Sequence, residues 1–221
     1  MKYPSVTINQ LKNRIMRTIE TKVYQYDELS SEAKANAINS LRNRLSEYRI
    51  AAEAYDYRNT LKKIEEIFGI KVRDWSVNGY SPTYFRFYFV NLDEDIENEP
   101  KFLLRYLNRD VLPCIDCRKT YYAKNYYKNH KKRKSRIISY PKYDFCITGV
   151  WTDIAVDDAL NNIKESIMQG KSAREFVSDM LDNFFNRWNK DCEYAYSDES
   201  IEDEIVVNEY EFLENGKPYS L

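Results

Sequence analysis

Cys114 and Cys117 are spaced CxxC, the only spacing in this 221-residue chain that suits a pair of metal ligands or a redox disulfide. Tetrahedral zinc needs two more ligands, and the candidates are His130, with 12 residues between it and Cys117, and Cys146. The interval to His130 is finger-like, but the chain has no second histidine to complete the set. Cys146 stands among apolar residues in what reads as a strand, where a thiol behaves as a small buried hydrophobe. A thioredoxin-like CxxC opens a helix after a strand, and the flanking residues lack that pattern. The expectation is no metal and no cofactor. Hydrolytic chemistry meets the same shortage: a Ser-His-Asp site would rest on His130, in a lysine-rich segment ill suited to preorganise a base. Asp153, Asp157 and Asp158 read as charges at a helix N-terminus, favoured there by the macrodipole, and not as a metal cluster. Kinase and phosphate-loop signatures are absent, and five glycines leave little material for them. We expect no enzyme and no catalytic residue, with a cryptic nuclease or zinc enzyme as a third alternative.

Charge is more informative. Residues 118–143 hold ten of the 34 Lys and Arg and no acid, whereas residues 191–214 hold ten of the 35 Asp and Glu and no base. A net charge of −1 conceals this segregation. In the basic segment Arg118, Lys119, Lys124, Lys128, Lys131, Lys132, Arg133, Lys134 and Arg136 interleave with Tyr121, Tyr122, Tyr126 and Tyr127. Cations neutralise phosphates while rings stack on bases, the combination that single-strand binders use. Those nine cations, with Tyr122 and Tyr126, are the candidate nucleic-acid contacts. On a helix the tyrosine pairs would gather on one face. The plain alternative is a solvated loop whose tyrosines pack down on the domain. In the acidic segment Asp198, Glu199, Glu202, Asp203 and Glu204 are the candidate partner contacts: regularly placed carboxylates imitate a phosphate backbone towards another protein's basic channel. Ile201, Ile205, Tyr210 and Phe212 lie among the acids, so the stretch reads as folded. Here too a solvated face is the plain alternative.

The elements that hold these residues follow from periodicity. Residues 7–19 form an amphipathic helix and 21–26 a strand. Ser30 is an N-cap for a helical stretch that runs to Phe68 and stops at Gly69. Its seam of Ile38, Leu41, Leu45, Tyr48, Ala52 and Tyr55 slips at Asp56–Asn59 and resumes with Leu61, Ile64 and Phe68, which predicts a kink or two helices. Ordinary core packing is the favoured use of that seam, with a dimer interface as the alternative. Residues 70–77 and 83–90 are strands joined by an Asn78-Gly79 turn, and Phe85, Phe87 and Phe89 alternate with Tyr84, Arg86 and Tyr88. Residues 91–100 read as an acidic loop and 101–109 as a short helix. Tyr143, Phe145, Ile147 and Trp151 mark a further strand. Val156, Leu160, Ile163 and Ile167 mark one helix, closed by Gly170. Ser172 and Glu175 form a capping box for the next, which Phe176, Met180, Phe184 and Trp188 line. A short helix near Ser197–Val207, a strand at 210–213 and an Asn215-Gly216 turn complete the chain. The class is α+β, a small antiparallel sheet covered by several amphipathic helices. We expect one domain over 1–221, with a helical extension at about 1–20 and a basic Tyr-rich insertion at about 118–136. No run reaches the roughly 20 apolar residues of a membrane span. Lys12, Arg14 and Arg17 interrupt the apolar positions that a signal peptide would need. Four cysteines make no disulfide scaffold, so a reducing cytoplasm and no membrane partner are expected.

Three stretches, YQYDELSSEAKANA (24–37), FCITGVWTDI (145–154) and IEDEIVVNEYEFLENGKP (201–218), resemble a family of accessory proteins encoded by phages and prophages, mostly without assigned function. The N-terminal helix and the long basic segment depart from that family's pattern. The resemblance implies a small protein of the host bacterial cytoplasm and carries no catalytic residue with it. Phage accessory proteins often inhibit host defences, so it implies an anti-CRISPR protein that binds a Cas effector, and its guide RNA or DNA, without catalysis. The alternative is a nucleic-acid-binding regulator acting through residues 118–136. A homo-oligomer is compatible with either.

Overall fold

The computed structural model describes residues 20–115, 117–128, 131–141 and 144–219, with 117–128 and 131–141 described by the course and pairing of their strands alone. The fold is α+β, with short antiparallel strand pairs among several helices. The N-terminal helix expected at 7–19 lies outside the described residues. The chain divides into two compact units, residues up to Ser40 with Asp203 onward, and Leu41–Glu202.

In the smaller unit an early and a late segment of the sequence pair with each other. Strand β1 (Tyr24–Gln25) pairs antiparallel with β6 (Glu211–Phe212), and Tyr26 packs edge-on against Phe212 with ring centroids 6.3 Å apart. Both strands are shorter than their sequence patterns suggest. Ser30 caps helix α1 (Ser31–Phe68), its hydroxyl accepting the Ala33 amide at 3.3 Å. Gly216 sits so close to that first turn that a Cβ would lie 2.0 Å from the Ala33 carbonyl oxygen. Its φ of +81° independently calls for glycine. Asn36 donates to the Asn215 carbonyl at 3.3 Å.

Of the two outcomes expected for α1, a division into two helices does not occur: it is one helix of 38 residues, ended by Gly69 at φ +60°. The apparent phase slip came from placing Tyr48 and Tyr55 in the core. They are 77% and 69% exposed, and the buried stripe of the larger unit runs through Leu41, Leu45, Ser46, Ala54, Tyr57, Thr60, Leu61, Ile64 and Phe68. Between Ser46 and Ala54 no residue is fully buried, and the half-buried Arg49, Ile50 and Glu53 carry the stripe across that interval. Ser46 and Thr60 fill core positions that their polarity disguises; the Ser46 hydroxyl lies 2.7 Å from the Ala195 carbonyl.

Strands β2 (Ile70–Ser76) and β3 (Tyr84–Phe89) form an antiparallel ribbon with Ile70 opposite Phe89 and Arg73 opposite Arg86. Its apolar face packs on helix α6 (Ala173–Ala195), which starts with the expected Ser172–Glu175 capping box. Tyr57 and Trp188 stack at 4.9 Å, nearly parallel, at the centre of this aromatic core. The loop between the strands is tied to α6 at Gly79, whose amide donates to the Asn189 side chain at 2.9 Å.

The acidic loop at 91–100 contains a short helix, α2 (Glu94–Asn98), because Asp93 caps it by accepting the Asp95 amide at 3.0 Å. A run of short helical turns including α3 (Leu103–Tyr106) follows, where one short helix was expected. Strands β4 (Cys117–Lys128) and β5 (Lys131–Pro141) form an antiparallel hairpin, so the helical gathering of the tyrosine pairs does not occur. No strand follows at Phe145–Trp151. That stretch is a turn, with Phe145 at φ +58° and Gly149 at φ +80°, leading to a single helical turn at Trp151–Asp153. The helix expected from Val156 to Ile167 is two, α4 (Ile154–Asn161) and α5 (Ile163–Met168), broken at Asn162. Helix α7 (Asp198–Val207) matches its expected bounds.

Candidate binding surfaces

Helix α7 is held by one face and leaves its acids on the other. Ser200, Ile201 and Ile205 are buried, and Asp198, Glu199, Glu202 and Asp203 are exposed. Ser200 accepts from Arg49 at 2.9 Å, and Asp198 is paired with Arg42. Glu204 is half-buried and occupied by the Asn208 side chain at 3.0 Å. Four of the five acidic candidates are thus presented to solvent on an ordered helix. Asp198 and Glu202 stand one turn apart, about 6 Å along the axis.

The basic candidates fall on the hairpin. The register sets Tyr122 opposite Arg136, Tyr126 opposite Arg133, Tyr127 opposite Lys132 and Lys128 opposite Lys131, with irregularities between Tyr121 and Asn125. Arg118, Lys119, Lys124 and Lys134 lie on the same two strands. The strand register therefore sets three of the four named tyrosine positions opposite a basic position, an assignment that sequence spacing alone does not make.

The CxxC is only half visible: Cys114 is exposed, with its sulfur 3.4 Å from the Asp110 carbonyl, while the Cys117 side chain and His130 lie outside the described residues. Cys146 is half-buried in a turn, not a strand, and burial and the nearby Asp157 push its thiol far up. Among the described residues no group of three acid, His or Cys side chains is placed to hold a metal ion.

Asp153 and Asp157 stand at the start of α4, as expected. Rather than acting only as helix-end charges, they organise the turn before them. Asp153 is fully buried. One of its oxygens accepts the amides of Ile147, Thr148 and Gly149 at 3.0, 2.6 and 3.1 Å, and the other accepts the Thr148 and Thr60 hydroxyls at 2.7 and 3.1 Å. Asp157 accepts the amides of Phe145 and Cys146 at 2.6 and 3.2 Å. A carboxylate with five donors has no lone pair left for a ligand, so Asp153 is structural, and Asp157 braces the same turn through one amide on each oxygen. Asp158 alone stays exposed.

No family model, no curated protein and no solved structure matches the chain.

One cluster had no signal in the sequence. The Tyr57 hydroxyl donates to Asp191, 134 residues away, and burial, reinforced by that carboxylate, pushes the Tyr57 hydroxyl far up. Burial also raises Glu53, against the opposing pull of Arg49, 2.9 Å away. Cys192 is pushed up to about 11 by burial first and then by Glu53 and Asp191. Its members come together only when α6 packs on α1.

Proposed function

We propose that this chain is a non-catalytic binding protein of a phage or prophage that inhibits a bacterial defence nuclease, in its specific form an anti-CRISPR protein acting on a Cas effector. The observation that carries this reading is α7, an ordered helix with Asp198, Glu199 and Glu202 exposed a turn or less apart. Rigid carboxylates at regular spacing compete for the cations that line a nucleic-acid channel, and occupying the channel requires no turnover. The resemblance of the three sequence stretches supplies the phage context, and the host bacterial cytoplasm would be the place of action. The test is cleavage of a DNA target by Cas effector–guide complexes with the protein added in increasing amounts. Inhibition at near-stoichiometric protein, relieved at least tenfold by Glu199→Lys with Glu202→Lys, is expected. Absence of any defence nuclease that the protein binds or inhibits would sink this reading.

A second reading, a nucleic-acid-binding regulator, is favoured by the pairing of Tyr122, Tyr126 and Tyr127 with cations across the hairpin. A gel shift with generic DNA and RNA that weakens steeply with salt supports it.

A further inference from the structure

The ribbon of β2 and β3 has opposite chemistry on its two faces. Phe85 stacks on Phe185 at 5.2 Å, and Phe89 meets Tyr106 edge-on at 5.7 Å. Strand alternation then sends Tyr84, Arg86 and Tyr88 outward, and all three are exposed, as are Lys71 and Arg73 on β2. The register places Arg73 directly opposite Arg86 and Lys71 opposite Tyr88. Like charges directly opposite on paired strands are destabilising. Lys71 is compensated by Glu65 at 2.8 Å, but among the described residues neither arginine has a carboxylate partner. Arg73 instead lies over the Tyr88 ring, 4.8 Å from its centroid, and donates to its hydroxyl at 2.9 Å. Asp74, the only acid on either strand, falls at the irregularity in the ladder, with φ +49°.

We propose that this face binds single-stranded nucleic acid, with Arg73 and Arg86 taking phosphates and Tyr84 and Tyr88 stacking on bases. The two tyrosines stand four residues apart on one strand, roughly 13 Å, with Arg86 between them. A phosphate shared by the facing arginines removes the repulsion that the free ribbon carries. An acidic polypeptide would satisfy the arginines equally but leave the exposed Tyr84 ring without a role, which is why a nucleic acid is the better occupant. This face is built from residues other than those of α7 and does not depend on the inhibitor reading.

Fluorescence anisotropy of labelled oligo-U and oligo-dT of about 12 nucleotides with the full chain tests it. The two probes separate RNA from DNA as the source of the strand. Arg73→Gln with Arg86→Gln is expected to weaken binding tenfold or more. The same pair should flatten the slope of log affinity against log salt by about 1.4, the value for two phosphates on a single strand. Tyr84→Ser with Tyr88→Ser weakens binding at every salt concentration and leaves the slope unchanged. A wild-type protein that does not bind at low salt overturns the proposal. So does binding indifferent to both pairs, which assigns it to residues 118–136, or binding sensitive to the arginines alone, which marks a surface for an acidic partner. Should a variant misfold, ultraviolet cross-linking of the wild type decides: cross-links at Tyr84 or Tyr88 support the proposal, and cross-links confined to 118–136 refute it.

Discussion

Asp153 is fully buried and accepts five hydrogen bonds, so its loss takes the acceptor from the buried Thr60 hydroxyl and from the part-buried amides of the turn. Asp153→Ala is expected to cost about 3 kcal/mol, roughly 1 kcal/mol for each of the three part-buried turn amides that lose their acceptor. The urea midpoint should fall with little change in the denaturant slope. Cys192 offers a second check at this scale. Its thiol is pushed up to about 11 from an ordinary 9.0. Across that interval the unfolded chain releases the proton while the fold retains it. The contribution is therefore complete below about pH 9 and is lost as pH rises through about 11. Thermal melts between pH 8 and 10.5 should decline more steeply for wild type than for Cys192→Ala, whatever their difference at pH 8. In the native state iodoacetamide should label exposed Cys114 and spare buried Cys192, read by mass spectrometry.

Among the elements, α1 gives the sharpest contrast between pattern and packing. Tyr48, Tyr55 and Tyr57 are indistinguishable by type, yet two are exposed and one is fully buried, stacked on Trp188 and bonded to Asp191. Tyr57→Ala should cost about 3–5 kcal/mol, as truncating a buried aromatic does. Tyr48→Ser and Tyr55→Ser should each stay within about 0.5 kcal/mol of wild type. Chemical denaturation of the three variants measures this. Three capping signals were legible, since Ser30, Gly69 and the Ser172–Glu175 box act as their local chemistry dictates, whereas the Asp93 cap of α2 was not. The turn at Phe145–Val150 was not legible, because its apolar alternation mimics a strand and only the two aspartates that gather its amides overrule it. Gly216→Ala is expected to raise hydrogen exchange at Gln25 and Phe212, because φ +81° and the Ala33 carbonyl both exclude a side chain.

Taken together, a net charge of −1 says little about partners, because screening confines electrostatic recognition to about 10 Å at 0.1 M salt. A protein with a sequence pI near 6.0 should still be retained on a heparin column at neutral pH and released by salt. Replacing Lys131, Lys132, Arg133 and Lys134 by Gln should bring elution earlier, and full retention after that change would remove the hairpin as a polyanion contact. The α+β class, the main helices and the charge segregation were set by local patterning, since hydrophobic period, caps and charge runs depend only on near neighbours. Tertiary packing alone decided which tyrosines face outward and brought residues 24–37 and 201–218 together around Gly216. It also joined Tyr57 to Asp191 and set Arg73 against Arg86. Each of those outcomes depends on contacts between residues far apart in the chain, or on strand register, and local sequence encodes neither.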